Sequence, residues 1–385
     1  MSDVGTLDRQ LLVTEPVRFC KKCVVSSQRP RITFDDEGVC SACRYAEIKA
    51  SEIDWDERDM MFLDLLAKHR SKDGFYDCLV PSSGGKDSAK VAHELKYKYQ
   101  MHPLTITWAP FMYTSIGWKN YLAFKDSGFD NLLFFANGKI HRKLSRLGFE
   151  YVGDNFLPFI YGQKAYAFHV AVKHKIPLIF YGESGEVEYG GSTKNREKSH
   201  EGPEDWKELY FKGAGLDDLV NKGLETGILT EHEIVNHSLE YYRPPELEEI
   251  EKIGAEMHWF SFYKKWLPQE NYYYAVENTG FEANKGRSEG TYSKYSSLDD
   301  KTDGFHYYMA FIKFGIGRAT SDAAHEIRDG HITRDEAISL VNRYDGEFPQ
   351  KYFADFLEYI DISQDRFWEV VDFFRERSLH LWDNT

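Results

Sequence analysis

The junction at residues 78–95 constrains this chain more than any other segment. Cys78-Leu79-Val80 is an apolar run of strand character. It ends in the small-residue turn Pro81-Ser82-Ser83-Gly84-Gly85-Lys86-Asp87-Ser88, and Ala89 to Leu95 continues in helix-forming residues. Glycines let the backbone come close to a ligand. A new helix N-terminus turns its free amides toward an anion. The hydroxyls of Ser83 and Ser88 and the mobile charge of Lys86 complete a phosphate-binding set. The spacing is not the Walker pattern, Gly-x-x-x-x-Gly-Lys-Ser/Thr.

The same alternation continues along the chain. Residues 102–108, 131–135 and 176–181 read as strands, and 54–70, 120–128 and 163–174 as helices. Strands and helices in turn predict a doubly wound parallel sheet. Ligands of such sheets lie beyond the carboxyl ends of the strands. Ser83 to Ser88, Thr107, Trp108 and Tyr181-Gly182-Glu183 are therefore expected around one crevice. The stretch 184–206 lacks apolar periodicity and reads either as a solvated loop or as a lid over substrate. Residues 207–260 read as helical additions. Near the end, 321–328 is helical and stopped by Gly330, and Thr333-Arg334-Asp335-Glu336 is a capping box. The expected division is an arm and cysteine module at 1–48, with the arm reaching to about residue 18, the nucleotide-binding core at 49–206, and a mainly helical region at 207–385 that completes the site.

Four of the five cysteines fall in two pairs, Cys20-x-x-Cys23 and Cys40-x-x-Cys43. Two such pairs can converge on one tetrahedral metal, with zinc the usual occupant. Two disulfides and an iron–sulfur cluster are the competing readings. Four thiolates close the coordination sphere, so a zinc ion here is structural, in a ribbon-like module too poor in apolar residues to fold without it. Between the pairs, residues 29–34 read as a short strand and 35–38 as a hairpin turn. Cys78, on the first core strand, reads as a small buried hydrophobe.

Composition excludes several classes. With 42% apolar and 16% aromatic residues over 385 positions, the chain buries a sizeable core. Its 25 Tyr and 27 Phe suit either that core or a site for sugar or base rings. A formal charge of -14 gives no general basic face for nucleic acid. No stretch reaches the roughly 20 consecutive apolar residues of a membrane span. The start, Met1 to Gly5, lacks the pattern of a secretory signal. A soluble cytoplasmic protein is expected.

The run Ser83-Gly84-Gly85-Lys86-Asp87-Ser88 resembles the pyrophosphate loop of the ATP pyrophosphatases, of the adenine nucleotide alpha hydrolase-like fold. That group splits ATP between the α and β phosphates and transfers AMP to a substrate oxygen. On this likeness Ser83, Gly84, Gly85, Lys86 and Ser88 hold the departing phosphates. Asp87 either helps hold Mg²⁺ or is a helix N-terminal acid stabilised by the dipole. Thr107 and Trp108 are placed to meet adenine, and Glu183 to hold Mg²⁺ or position the nucleophile. A second cation is needed against the pyrophosphate charge. Lys313 and Arg318, in the run Phe311 to Thr320, are the distal candidates.

The cysteine pairs, Ser83 to Ser88, Tyr181-Gly182-Glu183 with Glu188-Tyr189-Gly190-Gly191, and Lys313 to Asp322 together resemble the N-acetyl sugar amidotransferase family of bacterial surface-polysaccharide and flagellin-glycan pathways. The resemblance implies conversion of an acetamido group, on a nucleotide-linked sugar, to an acetamidino group. It implies ATP, Mg²⁺ and Zn²⁺, and ammonia from separate glutaminase and channel subunits resembling imidazole glycerol phosphate synthase. This chain shows no glutaminase nucleophile of its own: the N-terminus offers no processed cysteine, and Cys78 has no elbow motif. The alternatives are a tRNA-thiolating or lysidine-type enzyme, against which the acidic balance argues, and a zinc-ribbon adaptor that senses ATP.

Overall fold

In the computed structural model, which describes residues 17–202, 214–235 and 239–378, the apolar run before the loop becomes the centre of a sheet. β1 (Cys78–Pro81) pairs in parallel with β2 (Pro103–Trp108) on one side and β4 (Leu178–Tyr181) on the other. β3 (Asn131–Phe134) extends the sheet beyond β2. Beyond β4 lie β6 (Glu256–Trp259), also parallel, and β5 (His200–Glu201), antiparallel at the edge. The order is β3-β2-β1-β4-β6-β5, so the winding reverses between β1 and β4. Cys78, Leu79 and Val80 are at most 1% exposed, as expected of a strand covered on both faces.

Two strands depart from expectation. β6 lies in the stretch read as helical, and β5 in the stretch read as a loop. Both are short, and His258, a polar residue of β6, is buried against Tyr263 and Glu256, so no apolar alternation marks the strand. The sheet is thus mostly, not wholly, parallel.

α1 (Ser41–Ser51) starts after Cys40 and carries Cys43 in its first turn, and α2 (Trp55–His69) is capped by Asp54 through the amides of Asp56 and Glu57. α3 (Lys86–His93) leaves the loop and runs on as a π-helical turn, Glu94–Lys98. α4 (Ser115–Asp126) begins earlier than expected because Thr114 caps the amide of Gly117. α5 (Gly138–Val152), capped by Asn137, adds to the anticipated helices. α6 (Leu157–His174) starts a turn and a half early, with Pro158 in its first turn. α7 (Gly185–Tyr189) occupies part of the stretch read as loop or lid. Residues 203–206 of that stretch, and most of the expected N-terminal arm, lie outside the described residues.

Three apolar cores hold this together. The largest sandwiches the sheet between its helices, with Phe62, Phe168 and Phe180 fully buried. A second is nearly all aromatic: Phe305 and Phe356 stack at 4.1 Å among the C-terminal helices, with Phe149 of α5 and Phe367 beside them. Much of the aromatic excess is therefore packing. The third joins the four paired cysteines to Ile316, Ala323, Ala324 and Ala337.

Candidate functional site

The loop after β1 is shaped by glycine where glycine is required. Gly84 has φ +83°, and a Cβ there would lie 2.7 Å from the Cα of Tyr121. Gly85 then caps α3 with extended backbone, leaving the helix amides open. Ser82 donates to Ser88 at 3.0 Å and binds the turn to the first turn of the helix. Lys86 contacts Asp87. Asp87 accepts from Asn271 Nδ2 at 2.9 Å, and Asn271 accepts in turn from Lys90 at 2.9 Å. Asp299 lines the same cavity as Ser83, and burial and the neighbouring Asp303 raise its pKa, with the Ser83 side chain acting against them.

Three cavities meet at this loop. The first, about 450 Å³, is bounded by Trp108, Phe156, Phe159, Tyr166, Tyr181 and Trp259. The second, about 170 Å³, lies over Ser83 to Asp87 and reaches Asn120, Asp299 and Arg318. The third, about 450 Å³, is walled by Arg29, Arg31, Glu186, Tyr189, Tyr307 and Arg318. Asp87 lines all three; Glu183 lines the first and third. The meeting point lies beyond the carboxyl ends of β1 and β4, where the winding reverses.

The electrostatics of that point are those of crowded carboxylates. Burial, and then the charge of Asp87, push Glu183 up to about 8, with Lys86 acting against them. Lys164 of α6 is buried with its ammonium 4.5 Å from the ring centroids of Tyr181 and Trp259, and burial lowers its pKa to about 8. Two acids on one cavity wall with Lys86 beside them suit a divalent cation, because an added positive charge relieves their repulsion.

The expected site residues divide. Ser83, Gly84, Gly85, Lys86, Asp87, Glu183 and Arg318 line the joined cavities, and Ser88 and Trp108 line the first. Trp108 is held against Gly162, where any Cβ would collide with the indole. Thr107 points to the opposite face of β2, as strand alternation requires. Its hydroxyl donates to the carbonyl of Ser82 at 2.5 Å, so it buttresses the loop from behind. Lys313 lies away from the cavities. Its ammonium donates to Val152 O at 2.7 Å, at the end of α5, between the rings of Phe314 and Phe374. The helix Asp303–Phe314 ends at Gly315, and Arg318 opens the next one, so the two cations serve different surroundings. Arg318 pairs with Asp322 at 3.0 Å and contacts the Tyr307 hydroxyl.

Sequence reading passed over Lys164, Asn271, Asp299 and the arginines of the cysteine module. Asp299-Asp300 in a glycine- and serine-rich stretch was a visible signal; Asn271 and Lys164 gave none. Residues 29–34 are not a strand. Isolated bridges pair Phe19 with Ser26 and Phe34 with Cys40, and Arg31 takes a left-handed φ of 65°. The turn at 35–38 is closed by Gly38 N to Asp35 O at 3.0 Å.

The four paired cysteines are buried with their sulfur atoms within 4.8 Å of one another. Cys20 and Cys43 are 3.8 Å apart, Cys23 and Cys40 3.7 Å. A zinc tetrahedron with bonds of about 2.3 Å has edges of about 3.8 Å, so the set fits zinc. No pair is at disulfide distance. The amides of Lys22, Cys23 and Cys40 donate to Cys20 Sγ at 3.3–3.4 Å, as suits a thiolate. Hydrogen bonds shared among the thiols hold Cys20 below the ordinary thiol range and Cys43 above it, a conflict that a divalent cation removes.

The module is clamped to its surroundings by charge. Arg334 donates to the carbonyls of Cys23 and Cys20 at 3.1 and 3.3 Å. Lys49 of α1 pairs with the buried Glu188 of α7 at 2.6 Å, and Arg31 makes two hydrogen bonds to Glu186.

Residues 289–385 match the family described as LPS biosynthesis protein WbpG-like, C-terminal domain. The matched segment carries Asp299, Lys313 and Arg318 and supports the resemblance to an amidotransferase family of lipopolysaccharide and sugar biosynthesis. It does not reach the loop or the cysteine pairs. No curated protein matches the chain. No helix among the described residues is long and apolar enough to cross a membrane.

Proposed function

We propose that this protein is an ATP-dependent amidotransferase that converts the acetamido group of a nucleotide-linked sugar to an acetamidino group in surface-glycan biosynthesis. The observation that carries the reading is the meeting of three cavities at Asp87. One is ring-lined and suits a nucleoside, one lies over the phosphate loop, and one is large enough for an acceptor. A transfer of AMP needs that arrangement: the phosphorus under attack stands between leaving pyrophosphate and incoming oxygen.

An amide carbonyl is a poor electrophile with a poor leaving group. Attack of its oxygen on the α phosphorus forms an O–P bond and expels pyrophosphate. Ammonia then adds at the carbonyl carbon, AMP departs with the former amide oxygen, and a proton is lost to leave the amidine. The chain's own residues bind and orient. The loop amides at Gly84 and Gly85 and the hydroxyls of Ser83 and Ser88 cradle the β and γ phosphates. Lys86 and Arg318 oppose the charge that grows on the leaving group. Trp108 bounds the base cavity. Asp87 and Glu183 would hold Mg²⁺, which supplies charge neutralisation of the triphosphate. The four-cysteine module would hold Zn²⁺ in a structural role. Ammonia comes from a separate glutaminase assembly in this reading.

The test is direct. Purified protein given ATP, Mg²⁺, ammonium and acetamido nucleotide sugars should release AMP, with product lighter than substrate by the difference between oxygen and NH. Lys86→Ala should lower AMP release by about a hundredfold or more. AMP release that is unchanged in the variant would remove the assigned chemistry.

A further inference from the structure

Arg29, Pro30 and Arg31 come from between the two cysteine pairs, yet they line the third cavity opposite Lys86, Asp87 and Glu183. The other cations of that wall have anionic partners. Arg31 is bound twice by Glu186, Lys86 touches Asp87, Arg318 pairs with Asp322, and His306 Nδ1 lies 2.7 Å from Asp154. Arg29 differs. It makes no ion pair among the described residues, and its Nε is buried without a hydrogen-bond partner. Glu186, the carboxylate whose charge acts on Arg29, is occupied by Arg31, and Arg328 adds a further positive charge. Arg29 is half-buried on this wall, and leaving its shielded Nε–H without an acceptor is costly. Its retention on a cavity wall indicates an anion that the protein does not itself contain.

We infer that Arg29, carried by the cysteine module, receives a phosphate of the acceptor in the third cavity, so that the module takes part in substrate recognition. The inference rests on reading the loop as the ATP site. The polyphosphate of ATP is the other source of the same chemistry, and the geometry favours the acceptor. Arg29 lines neither the ring-walled cavity nor the cavity over the loop, and it reaches the loop only across the space beside Lys86 and Asp87. A planar guanidinium fork matches two phosphate oxygens, and the diphosphate that links a sugar to its nucleoside offers several. The four-cysteine frame fixes where that fork stands. The cysteines would then act on substrate affinity through position alone.

Calorimetric titration of the full-length, zinc-loaded protein tests this. The protein is first saturated with Mg²⁺ and a non-hydrolysable α,β-methylene analogue of ATP, then titrated with UDP, GDP and dTDP. At least one diphosphate should bind, and Arg29→Gln should weaken it by about tenfold or more, the scale of a charged hydrogen-bonding pair. Affinity for the ATP analogue should be unchanged. Arg29→Lys should recover part of the loss, because an ammonium keeps the charge but not the fork. Zinc content and thermal melting report whether each variant folds. If Arg29→Gln does not fold, Arg29→Lys decides, and it must weaken the diphosphate several-fold. Absence of binding by all three diphosphates, equal binding by the folded variants, or a matching loss for the ATP analogue would overturn the inference. Failure of AMP release with the Arg29 dependence intact would remove the adenylation reading and leave the phosphate site. Normal AMP release with unaltered diphosphate binding would remove the site alone.

Discussion

Glu183 acquires its character from what surrounds it. At the end of an apolar strand it reads as a candidate because strand ends face the crevice, but its proton affinity follows from burial and from Asp87. With its pKa moved from 4.5 up to about 8, the folded protein binds this proton more tightly than the unfolded chain. Stability from this group is therefore complete below the ordinary carboxylate range and is lost as pH rises through about 8. Asp300, up to about 7, acts in the same direction. Thermal melts of the zinc-loaded protein without Mg²⁺ should fall over that window, and Glu183→Gln should flatten part of the fall. Identical pH profiles for both proteins would contradict the assignment. Trp108 and Thr107 show the limit of reading at this scale. Adjacent letters near a strand end both look available, yet alternation sends one to the cavity and the other behind the loop.

Among the elements, the strand, glycine turn and helix at 78–93 were legible because each has its own local signature. β5 and β6 were not: β5 has two polar residues, β6 opens on Glu256 and buries His258, and their burial is set by neighbours distant in sequence. The cysteine module was legible in its four-sulfur cluster but not in its outward face. Spacing specifies which sulfurs converge; it says nothing of where Arg29 and Arg31 point. Cys23→Ser removes one ligand from a frame with little core of its own, and should cost at least about 3 kcal/mol of the module's stability. Loss of bound zinc together with a lower melting temperature is the expected result. Retained zinc and an unchanged melt would rule out a four-sulfur structural site.

At the scale of the molecule, the module, the α7 segment and the C-terminal helices form one wall around the third cavity, and the Lys49–Glu188 pair is a buried tie within it. Lys49→Met takes away the ammonium paired with the Glu188 carboxylate, leaving His325 Nε2 at 3.8 Å and Arg328 on the Glu188 carbonyl among the described residues. The expected loss is about 3–5 kcal/mol by denaturant unfolding. Lys49→Met combined with Glu188→Leu should recover most of it, because the penalty lies in the uncompensated charge. A single variant as stable as the parent would mean the tie contributes nothing to stability. The sequence by itself determined the strand, glycine turn and helix at 78–93, the alternating architecture and the four-sulfur set, all written in short-range spacing and residue chemistry. Only the tertiary structure decided that Arg318 lines the cavity over the loop while Lys313 supports α5, and that an arginine between cysteines faces the same space as Glu183. Those outcomes depend on which surfaces pack together, and packing partners lie hundreds of residues apart.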